Sequence, residues 1–311
     1  MKTTEESEKN IPAQAADIRF IDLRVDFAFK RVFATPGNEE LLKMLVDSIL
    51  PELHVRTLTL GNQENLGDSE DDRKTVFDLK AVTGDGRTIV IEMQLAKKND
   101  FNDRLVYYST FPIREQVRAG HRNYRLEPLY IIAIMDFSMD GDRTTGNVIN
   151  SFCLHNDSDS SKVLTDNVHY VTVELPKFRK GVDRLESLSD RMIWLLRNMG
   201  SLKSVPEEFS GKGFEKLFDI SNFVAMTYEE QMEYLAKFHA ELDRRSELET
   251  AISDGRKEGL EEGLEKGLGK GLAEGEAKGR RETAARMKAA GIAPDIISQC
   301  SGLPLDVIES L

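Results

Sequence analysis

Apolar positions along this chain change their period several times, and each change marks an element. Between Asn38 and Leu50 they fall at Leu41, Leu42, Leu45, Val46 and Ile49, the spacing of one helical face. Asn38 is placed to cap that helix, Glu39 and Glu40 suit its first turn, and Pro51 stops it. Val55 to Leu60 alternates weakly and predicts a strand, and the acidic, Gly-containing stretch 61–72 predicts a loop. Thr75 to Leu95 reads as two strands around Gly84-Asp85-Gly86, a three-residue hairpin turn. Phe101 to Gly120 predicts a helix bent at Pro112, where a backbone donor is missing. Leu129 to Met135 is a continuous apolar run, as in a strand covered on both faces, and Val168 to Leu175 alternates as another strand. Beyond Lys180 the pattern turns helical. Arg184 to Asn198 carries Leu185, Leu188, Met192, Ile193, Leu195 and Leu196 around Trp194, a packing residue on this reading. Residues 212–246 continue as helix with Phe214, Leu217, Phe218, Ile220, Phe223, Tyr234 and Leu235 as buried positions.

The hairpin carries the chemistry. Centring it on Asp85 pairs Thr83 with Arg87 and, further out, Asp78 with Glu92. Alternation sends Phe77, Leu79, Ala81, Ile89, Ile91, Met93 and Leu95 to an apolar face. Asp78, Lys80, Glu92 and Gln94 share the other. Like charges directly opposite each other destabilise a sheet, and a divalent cation would offset the repulsion. Lys80 could supply a cation on this face; the competing reading is a salt bridge to Glu92 or Asp78. On the helix that follows, Arg104, Tyr107 and Tyr108 stand at i, i+3 and i+4 and share a face, and Gln116 lies further along.

Charge complicates a nucleic-acid reading. The net charge is −12, against generic nucleic-acid binding, but seven basic residues (Lys97, Lys98, Arg104, Arg114, Arg118, Arg122 and Arg125) face three acidic ones between Lys97 and Arg125. The alternative is an ordinary solvated helix face. Only Cys153 and Cys300 occur, so no disulfide framework is expected and a reducing cytoplasm is the default. No window is apolar enough for a membrane span, and residues 1–16 read as a polar, disordered leader.

In the tail, glycine recurs every four residues at Gly255, Gly259, Gly263, Gly267, Gly271, Gly275 and Gly279. Each costs a helix about 1 kcal/mol relative to Ala. Either another helix packs against this stripe, giving a homo-oligomer, or the segment is a spacer. Residues 289–311 predict a helix pair with helix-turn-helix proportions. No Lys or Arg follows Lys288, which favours a packing cap over a groove reader.

The spacing Asp78-(x)13-Glu92-x-Gln94 resembles the PD-(D/E)XK nuclease superfamily, with Gln in place of Lys. Asp26-Phe27-Ala28-Phe29-Lys30-Arg31-Val32-Phe33 resembles the D-x-x-F-K-x-x-F opening of the Rpn family, the PD-(D/E)XK transposase-like nucleases. Arg104 to Tyr108 is similar to its R-x-x-Y-Y helix, Ile91 to Gln94 to its I-E-M-Q strand, and Glu174 to Phe178 to its E-L-P-K-F close. The resemblance implies a restriction-endonuclease-like α/β core, a mixed sheet flanked by helices, over residues 17–180. An all-helical extension at 181–248, the Gly-periodic tail at 249–288 and the helix pair at 289–311 would follow. It implies a metal-dependent DNA endonuclease acting in DNA mobility, recombination or defence. Mg2+, or Mn2+, would be held by Asp78 and Glu92, with Gln94 orienting water. Asp26 would complete the ligands; alternatively Asp22 and Asp26 cap or solvate a first helix. Arg104, Tyr108, Gln116, Lys97 and Lys98 are the candidate contacts to double-stranded DNA. The rival expectation is a nuclease-fold DNA-binding or assembly protein that has lost catalysis, and cleavage of RNA stays open.

Overall fold

The computed structural model describes residues 17–61, 64–65, 75–117, 125–139 and 146–311. The expected leader and the end of the basic stretch, with Arg118, Gly120 and Arg122, lie outside the described residues. Elements run in the order α1 (Asp26–Phe33), α2 (Glu39–Ile49), β1 (Leu58–Leu60), β2 (Glu64–Asn65), β3 (Thr75–Val76), β4 (Leu79–Thr83) and β5 (Thr88–Gln94). Then come α3 (Phe101–Val117), β6 (Leu129–Met135), β7 (Ile149–Asn156), β8 (Asp159–Glu174), α4 (Leu188–Asn198) and α5 (Glu215–Ser221). The chain ends with α6 (Tyr228–Ala289), α7 (Pro294–Ser301) and α8 (Leu305–Ser310).

A six-stranded sheet in the order β1-β4-β5-β6-β8-β7 forms the centre. It is mixed: β5, β6 and β8 are parallel, while β1–β4, β4–β5 and β7–β8 pair antiparallel. Both faces are covered, which explains the unbroken apolar run of β6. Leu79, Ala81, Ile89, Ile91, Ile132, Ile134, Val171 and Val173 pack on one side with α1, α2, α4 and α5. Val90, Ile131, Ala133 and Met135 face the other way onto Phe101, Leu105 and Phe111 of α3.

Several expectations need correction. The hairpin has no open polar face, because α3 lies over the side carrying Val90 and Glu92. Phe77 leaves the face of Leu79 and joins α3, with its ring 5.9 Å from Tyr108 and 6.5 Å from Phe111. A bend at Asp78, between β3 and β4, breaks the alternation there. Asn38 precedes α2 but does not cap it with its side chain; its amide donates to the Arg31 carbonyl instead (3.1 Å). The first strand shortens to β1, and part of the expected loop forms β2, paired with β3. The strand expected at Val168 is the end of the 16-residue β8, whose partner β7 was not anticipated. Residues 212–246 divide into α5 and the start of α6.

Two compact units result, Met1–Leu242 and Asp243–Leu311. In the first, Leu185, Met192, Phe209, Phe214, Phe223 and Tyr234 join the same core as the sheet, so residues 181–242 thicken one layer. In the second, α6 is continuous helix through all seven glycines of the four-residue repeat, with Leu260, Leu264, Leu268 and Leu272 exposed beside them. The second unit's small core, Ala284, Ile297 and Ile308, joins α6 to the terminal pair α7 and α8. No helix among the described residues is long and apolar enough to cross a membrane.

Candidate functional site

The turn sets the site. Thr83 N–H donates to the Arg87 carbonyl (2.9 Å), and β4 pairs with β5 from Val82↔Thr88 out to Leu79↔Ile91. One step further, Asp78 faces Glu92. The Asp78 carboxylate reaches across and accepts from Met93 N–H (2.7 Å), while Asp78 N–H points at Glu92 Oε1 (3.4 Å). These bonds lock the bend that turns Phe77 away. Glu92 is only 2% exposed, and one-fifth of the Asp78 side chain is open.

Two buried carboxyls this close cannot both ionise freely. Burial pushes Glu92 up to about 8, with the Asp78 charge opposite adding to the shift. Asp78 rises to about 6, again chiefly through burial; Asp26 adds to this, while the Met93 N–H, Lys30 and Arg104 oppose it. The donor set is hard oxygen, and the pair is short of positive charge. Among the described residues no group of three His, Cys, Asp or Glu is arranged to hold a metal. Two carboxylates nonetheless suit Mg2+, which is commonly bound through one or two carboxylates with water and phosphate completing its shell. The residues present therefore fit such an ion.

Around the pair, α3 brings Arg104 and Tyr108. Arg104 Nε donates to Tyr108 Oη (2.6 Å), with the guanidinium 4.9 Å from the ring centroid. Burial raises the Tyr108 hydroxyl, Arg104 opposes the rise, and the Glu92 and Asp78 charges add to it. Tyr107 is exposed and stacks edge-on against Phe111. Gln94 lies two residues beyond Glu92, half-buried, with its carbonyl accepting from Asp136 N–H (2.9 Å). Lys97 and Lys98 are exposed on the segment leaving β5, and the Lys97 amine bonds the Met139 carbonyl.

Other candidates fall elsewhere. Lys80 is not beside the carboxylates; its amine pairs with Glu115, which α3 lays over β4. Lys80 lies two positions beyond Asp78, roughly 7 Å along a strand, so a partner directly above it wins. Gln116 is bound at both ends of its amide to the Glu127 backbone (2.8 and 3.2 Å). Glu127 leads into β6 near the hairpin turn, so Gln116 belongs to the opposite end of β5. Asp26 is half-exposed and pairs with Lys30 (2.7 Å); its charge reaches Asp78, but it does not join a ligand group.

Sequence reasoning assigned no site role to Lys30, Asp136, Arg24 or Glu174. Lys30, four residues after Asp26 on α1, stands 3.9 Å from Asp78 Oδ1. Asp136, just past β6, accepts from Arg24 Nη1 (2.9 Å). Arg24 also forks onto Asp22 (2.9 and 2.7 Å), whose N–H donates to Tyr234 Oη (2.9 Å). The acid ending the apolar run LYIIAIM was the available signal for Asp136, and the i,i+4 spacing for Lys30. Glu174, at the end of β8, is buried with Lys177 (3.1 Å). Gln94, Met135 and Glu174 are in register, so the three parallel strands end level, the side of such sheets where ligands bind.

Neither a comparison with curated proteins nor one with solved structures returned a match. A family model described as PD-(D/E)XK nuclease family transposase matches residues 23–251, a span that includes α1, the carboxylate hairpin and α3. On that match the chain belongs to the PD-(D/E)XK nuclease family transposases.

Proposed function

We propose that this protein is a metal-dependent DNA endonuclease. One observation carries the reading: Asp78 and Glu92 are held side by side and buried, burial raises the pKa of both, and the Asp78 charge raises that of Glu92 further. Such an arrangement is unfavourable without a cation and is the kind found at functional sites. Asp78 and Glu92 would hold Mg2+ or Mn2+. A bound ion of this kind acidifies water and neutralises charge on a scissile phosphate. Gln94 orients the attacking water through its amide, and Arg104, braced by Tyr108, takes a non-bridging phosphate oxygen. Lys97 and Lys98 extend the contact along the backbone, offsetting the acidic remainder of the chain. Recombination, mobility or defence against foreign DNA is the setting the family suggests. The exposed Leu260, Leu264, Leu268 and Leu272 support self-association through α6, which would supply two sites for two strands.

A second reading, a DNA-binding protein without catalysis, is favoured by the neutral Gln94 and by the net charge of −12. Supercoiled plasmid with Mg2+ or Mn2+ separates the two. The wild type nicks or linearises it, and Asp78→Ala and Glu92→Ala do not. Cleavage that persists in both variants rejects the site; binding without cleavage by the wild type selects the second reading.

A further inference from the structure

We propose that Lys30 is a catalytic residue whose ammonium meets the scissile phosphate and the attacking water beside Asp78 and Glu92. The inference rests on the hydrolase reading and adds a cation to it. In hydrolysis the oxygen of water bonds to phosphorus, one P–O ester bond breaks, and a proton from that water ends on the departing alkoxide. Negative charge grows on the phosphoryl oxygens meanwhile, and a donor fixed where it grows lowers the barrier.

The strand bearing Glu92 offers only the neutral amide of Gln94. Arg104 acts on the pair from α3 with its Nε held by Tyr108, whereas Lys80 pairs with Glu115 away from the carboxylates and Arg24 is bound to Asp22 and Asp136. Lys30 differs from these. Its side chain is 33% exposed, its Nζ lies 2.7 Å from Asp26 Oδ1, and Asp78 Oδ1 is 3.9 Å away. Its charge also acts on Glu92. An ammonium has three donors, and one goes to Asp26. The gap to Asp78 exceeds a hydrogen bond and is one that a bridging water or phosphate oxygen would span.

Local structure explains the placement. Ala28, Phe29, Val32 and Phe33 bury one side of α1, which leaves Asp26 and Lys30, one turn apart, on its outer face. Asp26 is then a positioning residue that holds Lys30 over the carboxylates. A partly exposed i,i+4 pair contributes little to stability, so removing the lysine leaves the fold intact.

The test uses the full chain with Lys30→Gln, the double variant Lys30→Gln/Gln94→Lys, and Lys162→Gln on the β7–β8 hairpin as control. Single-turnover plasmid cleavage in Mn2+ is paired with calorimetric titration of Ca2+ alone. Lys30→Gln should cleave about 100-fold more slowly, the usual effect of losing one such donor. It should bind Ca2+ at least as tightly as wild type, because a repelling charge is gone. Moving the charge to position 94 should recover at least about tenfold of the loss, and Lys162→Gln should cut normally. Cleavage by Lys30→Gln within about threefold of wild type overturns the proposal alone. Slow cleavage accompanied by weakened Ca2+ binding also overturns it, by making Lys30 a shaper of the site. If the wild type fails to cut with every metal ion tried, the hydrolase reading and this inference fall together.

Discussion

Replacing Glu92 by Gln should make the metal-free protein more stable while abolishing cleavage. Glu92 is held at about 8 in the folded chain, against an ordinary value of 4.5. The folded state therefore binds more protons than the unfolded one between those limits, and the wild type loses stability as pH rises through that window. Each unit corresponds to about 1.4 kcal/mol, so the full penalty by pH 8 is on the order of 4 kcal/mol. At pH 5 it is below about 1 kcal/mol by the same arithmetic. Gln keeps the shape, its oxygen can still accept from Asp78 N–H, and its amide can donate to the Asp78 carboxylate. Thermal melts in EDTA should show a gap between variant and wild type that is small at pH 5. By pH 8 it should widen to about 10 °C, at roughly 2–4 °C per kcal/mol for a unit of this size. Mg2+ should raise the wild-type melting temperature and leave the variant unmoved. Equal melting at pH 8, or a gap that does not grow with pH, would refute the claim that burial and the Asp78 charge disfavour an ionised Glu92.

Arg104→Ala should weaken DNA binding uniformly across sequences and reduce the salt slope of log K by about one, read by fluorescence anisotropy at several salt concentrations. Tyr234→Phe strips the acceptor from the buried Asp22 N–H and should cost about 1–3 kcal/mol in urea denaturation, with Ca2+ binding retained. Gly200→Ala places a methyl 2.7 Å from Asp22 Cβ and 3.0 Å from its Cα, so it should destabilise by about 1–3 kcal/mol in the same assay.

The facing carboxylates were legible because a tight turn fixes the register and the register fixes the pair. The helix at Leu41 to Ile49 and the strand Leu129 to Met135 were legible because burial alone dictates their patterns. What escaped depends on contacts distant in sequence. Nothing near Lys80 announces that Glu115, 35 residues on, will cross above it. Phe77 obeys alternation on paper, and only the bend locked by Asp78 and Met93 reverses it. The outer parts of β7 and β8 are largely exposed, so no apolar period marked them. The glycine-periodic tail is helical because the intervening Leu, Glu, Lys and Ala are strong helix formers. Pairs such as Glu262–Lys266, Lys270–Glu274 and Lys278–Glu282 add to it along the surface.

The joint grip of Asp78 and Glu92 on a divalent cation is tested most directly by diffraction at the manganese edge from crystals grown with Mn2+. The proposed function predicts one anomalous peak about 2.1 Å from a carboxylate oxygen of each residue. A protein that cleaves DNA but shows no peak there, or shows its only peak on other side chains, would contradict it.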